Sequence, residues 1–162
     1  MTYDSTDDTM KHIERVRYYV GLVSQMLSYR GFVHDYSKLH NPEEKAILDR
    51  ETPRLKDLEY GSEEYLKSAR LVGFSHWKSN RHHPEFHAIH EGILNEEEVK
   101  DGTAISRMTL LDLTEMLVDW KAASERHATG DIYKSIEFNQ TRFGYSDHFK
   151  AILVNTAKEM GW

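Results

Sequence analysis

The sequence predicts an all-α fold, one compact helical bundle of about five to seven helices taking in residues 1–162 as a single domain. Three observations predict it. Apolar residues recur at three- and four-residue spacing in several segments, which marks one face of a helix. No segment alternates apolar and polar residues as a half-buried strand would. Three prolines and nine glycines leave long stretches free to be helical.

The first helix is expected to start near Asp7 or Asp8, either of which can cap it. Its stripe is Val16, Tyr19, Val20, Val23 and Leu27, with His12 four residues earlier on the same face. Gly31 is read as a break. Phe32 to Lys38 carries the next turn, and Asn41-Pro42 reads as a cap followed by proline at the first helical position. That helix continues from Glu43 to Glu51 and ends at Pro53. Gly61-Ser62 opens a stretch whose inward face is Tyr65, Ala69, Val72 and His76. Pro84 disfavours helical geometry at His83, so an end is expected near Arg81 or His82. Glu85 to Gly102 reads as a long acidic connection with at most one short helix, of a length often used as a lid. A helical stretch follows from Thr103 to His127, with a break at Thr109 and a stop at Gly130. Asp131 caps a helix through Phe143. Ser146 caps the last one, with Phe149, Ile152, Leu153, Thr156 and Met160 as its stripe.

Composition limits function. The absence of cysteine removes disulfides, thiolate metal sites and thiol nucleophiles. A net charge of −6 disfavours non-specific nucleic-acid binding, so nucleic acid is not the expected partner. Met1 to Met10 lacks a basic segment and an apolar run, so no signal peptide is expected. No apolar run approaches the roughly 18 residues a membrane span needs. The expected location is the cytoplasm, without membrane attachment. A homodimer is left open.

Ten residues are histidine, and five of them cluster between His76 and His90. A lone His34-Asp35 dipeptide carries no weight in a chain this rich in both residue types. Its context does. His12, His34, Asp35 and Asp119 offer two imidazoles and two carboxylates from three separate segments. Ligands converging from several helices are how a bundle core holds a metal. A mixed nitrogen and oxygen set suits Mn, Fe, Co, Ni or Zn, as one or two divalent ions. Asp112 and Glu115 share the face of Asp119. Thr109-Leu110-Leu111-Asp112 has the shape of a capping box, which makes a structural role the better reading of Asp112. Whether Asp112 or Asp119 is the last carboxylate ligand stays open. Glu115 is read as orienting a ligand histidine. His87, His90, His127 and His148 are read as surface residues.

On these residues the chain resembles the HD-domain metal-dependent phosphohydrolases. The shared order is His, His-Asp, Asp, all on helices. His34-Asp35-Tyr36-Ser37-Lys38 is similar to their His-Asp-x-x-Lys turn. His76-Trp77-Lys78-Ser79-Asn80-Arg81-His82-His83 is similar to the added ligands of members with more than one metal. A small phage and bacterial subgroup looks most similar. It shares His12 to Val16, the His-Asp-x-Ser-Lys turn, Asn80-Arg81-His82-His83 and Glu115-Met116-x-x-Asp119-Trp120. Together these span about Lys11 to Ala123. The resemblance implies an HD-type bundle and hydrolysis of a phosphate ester, in which a metal-activated water attacks phosphorus. A small phosphorylated molecule, a nucleotide above all, is then the expected partner.

In that scheme Asp35 bridges the metals, His12, His34 and Asp119 complete one site, and His76, His82 and His83 supply the other. Lys38 and Arg81 offset charge on the phosphate. The expected catalytic residues are Asp35, Lys38 and Glu115. Two other readings use the same ligands: a diiron oxygen-activating oxidase, and a non-enzymatic interaction protein that the metal only staples together.

Overall fold

Asn41 illustrates how local chemistry sets the helices. Its side-chain oxygen accepts the backbone N–H groups of Glu43 and Glu44 at 3.0 and 3.3 Å, and Pro42 fills the first helical position. Such a cap is worth about 1 kcal/mol. Ser62, Thr109, Asp131 and Ser146 repeat the device at four later helix starts. The structure, a computed structural model, describes residues 3–58, 62–90, 99–125 and 130–162. Among these the helices are α1 (Thr6–Val33), α2 (Tyr36–His40), α3 (Pro42–Asp57), α4 (Glu63–Trp77), α5 (Pro84–His90), α6 (Thr103–Ser106), α7 (Leu110–Ser124), α8 (Ile132–Phe143) and α9 (Asp147–Glu159). No strand occurs among the described residues, so the fold is all-α. The helix count exceeds the five to seven expected because one-turn helices such as α2 and α6 stand apart from their longer neighbours. No described helix is long and apolar enough to cross a membrane.

The backbone groups into two units, Met1–His34 and Asp35–Trp162. The first is α1. Asp4, not Asp7 or Asp8, serves its start, accepting the backbone N–H and hydroxyl of Thr6. The expected break at Gly31 does not occur, and the helix runs on to Val33. A glycine inside a helix costs about 1 kcal/mol relative to alanine, which a helix of this length tolerates.

In the second unit, α3 packs along α4, α7 on α8, and α8 on α9. Its apolar core is Ile105, Met108, Met116, Leu117, Ile132, Ile136, Phe143, Tyr145, Leu153 and Ala157, drawn from α6 to α9 and the turns beside them. Trp120 stacks parallel on Phe143 at 6.3 Å. Gly144, at φ 64°, closes α8 where the backbone of Lys100 presses so close that any β-carbon would collide with it. The interior of α3 to α5 is different in kind. Glu44, Glu51, His76, His82, Glu85 and His87 are all buried there, and Asp112 of α7 is buried as well. Buried ionisable groups are unfavourable unless paired. Glu51 is paired, held by Arg50, Arg54 and the hydroxyl of Ser68, which ties α3 to α4.

Three expectations about helix ends are corrected. α3 does not end at Pro53 but continues to Asp57. The carbonyl of Asp49 that proline leaves without a partner lies on the exposed side, where water can serve it. α4 ends at Trp77 rather than near Arg81, so His82 and His83 ride on the turns of residues 78–83. Pro84 opens α5 instead of only closing what precedes it. Residues 91–98, the middle of the expected acidic connection, and His127 lie outside the described residues, and the connection's first residues, Glu85 to His90, belong to α5.

Candidate metal centre

α4 and the turns after it bring three histidines together. One ring nitrogen each from His76, His82 and His83 lies within 4.8 Å of the other two. The rings of His76 and His83 meet edge to face at 4.8 Å, and those of His82 and His83 are 4.2 Å apart. Asp35 faces the group from the start of α2. Its Oδ1 lies 3.1 Å from Nε2 of His76 and 3.7 Å from Nε2 of His82. Its Oδ2 takes the ammonium of Lys38 at 2.5 Å.

The backbone of Asp35 has φ 55° and ψ 19°, and it is the only non-glycine with positive φ among the described residues. Aspartate tolerates this region better than most residues. An aspartate before a helix ordinarily caps it. Asp35 caps nothing, because its carboxylate turns to the histidines and Lys38 instead. Burial pushes the Asp35 carboxyl up, but His76 and Lys38 outweigh it and hold the group far below the usual carboxylate range. It is therefore an anion at any working pH.

Each of two histidines has a carboxylate behind it. Nδ1 of His76 lies 2.7 Å from Oε1 of the wholly buried Glu44. Nδ1 of His82 lies 3.2 Å from Oε1 of Glu115. Asn80 Nδ2 also comes within 2.9 Å of the His76 Nδ1. A nitrogen donating to a buried carboxylate has no lone pair to accept with, so we assign the Nδ1 proton to the Glu44 bond. Nε2 is then the nitrogen that faces Asp35 at 3.1 Å, a donor to the carboxylate by itself and a ligand when an ion lies between them. Carboxylate–histidine pairs of this kind fix the tautomer and raise ligand basicity in metal sites. Nε2 of His83 is buried with no hydrogen-bond partner. Burial first, then the neighbouring His82 and His76, push its imidazole down to about 2, against a pull from Asp119 and Asp35. It is a neutral ring with a lone pair available for coordination.

The turn that carries His82 and His83 is clamped by α5. His87 Nε2 reaches the carbonyl of Arg81 at 3.0 Å, and His90 Nε2 that of Lys78 at 3.1 Å. Asn80 donates to the carbonyl of His76 and to the hydroxyl of Ser37, both at 2.8 Å. Arg81 lays its guanidinium along Asp112, with both contacts at 3.4 Å. Asp112 also closes the capping box of α7 by accepting from the N–H and hydroxyl of Thr109. The structural reading of Asp112 holds. That of His87 as a surface residue does not, since it is buried against Arg81 and Asp112.

Of the residues expected from the sequence, Asp35, Lys38, His76, His82, His83 and Glu115 thus come together. Asp119 is near enough to His83 to act on it electrostatically. Arg81 sits beside them but is engaged by Asp112. His12 and His34 belong to the first unit, His12 exposed along α1 and His34 directly after its end, and for them the expectation rests on the sequence alone. Glu44 and Asn80 were not anticipated. A signal for Glu44 existed: it shares a face with Ile47, Leu48 and Glu51 at helical spacing.

A family model matches residues 1–159 of the 162. The chain belongs to the family of unknown function DUF5662. That family carries no described activity, so its members inherit no mechanism from the match. No curated protein matches the chain, and no solved structure does.

Proposed function

We propose that this chain is a metal-dependent phosphohydrolase acting on a phosphate ester, with a nucleotide as the substrate class its HD-like motifs imply. The observation that carries the reading is the three-histidine group beside Asp35, with carboxylates behind two of its rings. The donor set fits a transition metal. It offers imidazole nitrogens and one carboxylate oxygen, a combination suited to Mn, Fe, Co, Ni or Zn. The buried Nε2 of His83, with no hydrogen-bond partner, is what a ligand atom awaiting an ion looks like.

His76, His82, His83 and Asp35 would hold the ion. When bound, it would supply Lewis acidity and a water of lowered pKa. Glu44 and Glu115 orient the rings through Nδ1 of His76 and His82, so Nε2 of each is the nitrogen that would meet the ion. The Lys38 ammonium, half-exposed beside Asp35, is the cation a phosphoryl oxygen meets first. Arg81 can reach a phosphate only by giving up Asp112, so its main contribution is to hold the turn that carries His82 and His83.

The test is turnover. The metal-loaded protein is assayed against nucleoside mono-, di- and triphosphates and cyclic nucleotides with Mn²⁺, Co²⁺, Ni²⁺ and Mg²⁺ in turn. Metal-dependent phosphate release or ring opening supports the proposal. Full metal occupancy with silence across the panel overturns it in favour of the oxygen-activating reading or of a metal that only staples the bundle.

A further inference from the structure

A cleft of about 720 Å³ lies between α4 and the last turn of α8, lined by Glu63, Lys67, Ala69, Arg70, Trp77 and Arg142. No residue of the histidine cluster lines it. Glu63, Lys67, Arg70 and Trp77 recur at the spacing of one helical face, so α4 supplies most of the wall. Arg142 faces it from α8.

The aromatic surface depends on a glycine. A β-carbon at Gly73 would stand 2.5 Å from Cζ2 of Trp77, so only glycine lets the indole fold back over its own helix. Glycine in a helix interior gives up about 1 kcal/mol relative to alanine. Arg142 lies 5.8 Å from the Trp77 ring centre and 4.6 Å from that of Phe143. Its guanidinium is fixed by Glu85 at 2.6 Å, a contact that occupies only part of its five-donor fork. Three cations thus border the cleft, against Glu63 in its lining and Glu85 behind Arg142, in a chain whose net charge is −6.

We propose that this cleft is a second binding site, for a small aromatic anion: a flat ring laid on Trp77, with a phosphate-like group held by Lys67, Arg70 and Arg142. Aromatic walls supply ring contact, and clustered cations supply charge-assisted hydrogen bonds. The proposal does not depend on the metal centre.

The probe is phenylphosphonate, whose carbon–phosphorus bond a phosphate-ester hydrolase does not cleave, titrated calorimetrically into the protein as purified. Inorganic phosphate and phenol, which carry the anion and the phenyl ring separately, should each bind roughly tenfold or more weakly. Lys67 and Arg70 are exposed, so the Lys67→Ala/Arg70→Ala variant should fold and keep its metal content. It should lose roughly tenfold in phenylphosphonate affinity. Trp77→Phe, which keeps a ring, should bind more weakly than the parent and more tightly than Trp77→Ala. Absence of binding up to about 10 mM, beyond which affinity is negligible for so small a molecule, overturns the proposal. So does binding that the double substitution leaves unchanged.

Discussion

Nδ1 of His76 lies 2.7 Å from the carboxylate of Glu44, a residue from which solvent is wholly excluded. A buried carboxylate bound to a histidine costs stability by itself, and the pair makes physical sense as the support of a ligand. Glu44→Gln keeps the shape and a hydrogen-bond acceptor but removes the charge. We expect about 10- to 100-fold weaker metal binding with helix content unchanged. Competition with a chelating dye measures it, and equal affinity in parent and variant would detach Glu44 from the site.

Asp35 combines a left-handed backbone with the carboxylate that faces the cluster. Glycine adopts φ 55° freely, whereas alanine does not. Asp35→Gly should therefore be more stable than Asp35→Ala by about 1 kcal/mol in metal-free urea unfolding. Both should lose most of their metal. An Ala variant as stable as the Gly variant would show that the turn relaxes.

His83 sets a pH dependence. Its imidazole is pushed down to about 2 in the folded protein, chiefly by burial, against an unfolded value of 6.5. Below pH 6.5 the unfolded chain binds a proton that the native state refuses. Stability therefore falls as pH drops, by up to about 1.4 kcal/mol per pH unit from this one group, and is insensitive to it above pH 7. Urea unfolding of chelated protein at neutral and mildly acid pH should show the slope. In His83→Gln the slope should lose one proton's worth. Parallel profiles for parent and variant would place the acid sensitivity elsewhere.

Asp112 joins the capping box of α7 to the guanidinium of Arg81. Asp112→Ala removes its half of the capping box, leaving the Thr109 cap, and strips Arg81 and His87 of a buried partner, so a loss of about 2–4 kcal/mol is expected. Asp112→Asn should lose less than half of that. Thermal unfolding of both variants gives the comparison, and a change below about 1 kcal/mol in the Ala variant would contradict the network.

The fold was readable wherever its cause was local. Asn41-Pro42, Thr109, Asp131 and Ser146 cap helices where the sequence puts them, because a cap involves residues two or three apart. Gly31 and Pro53 misled because their preferences, about 1 and 3 kcal/mol, yield to the helices around them. At the candidate site, His76, His82, His83, Asp35 and Glu115 were legible as residue types in order. Glu44 was passed over despite the apolar face it shares with Ile47 and Leu48, since an acidic residue in the first turn of a helix is favourable there for the helix dipole alone. His87 was misread for the related reason that its partners, Arg81 and Asp112, come from other segments.

The central claim is that His76, His82, His83 and Asp35 hold a transition metal, and elemental analysis of the purified protein beside the His76→Ala and His82→Ala variants tests it most directly. The parent is expected to carry near-stoichiometric metal and each variant less than about a tenth of that, an affinity loss of roughly 2.6 kcal/mol or more at the same free metal, with helical circular dichroism retained. A parent free of transition metal after purification and after incubation with Mn²⁺, Co²⁺, Ni²⁺ and Zn²⁺, or variants that keep the parent's metal content, would contradict it.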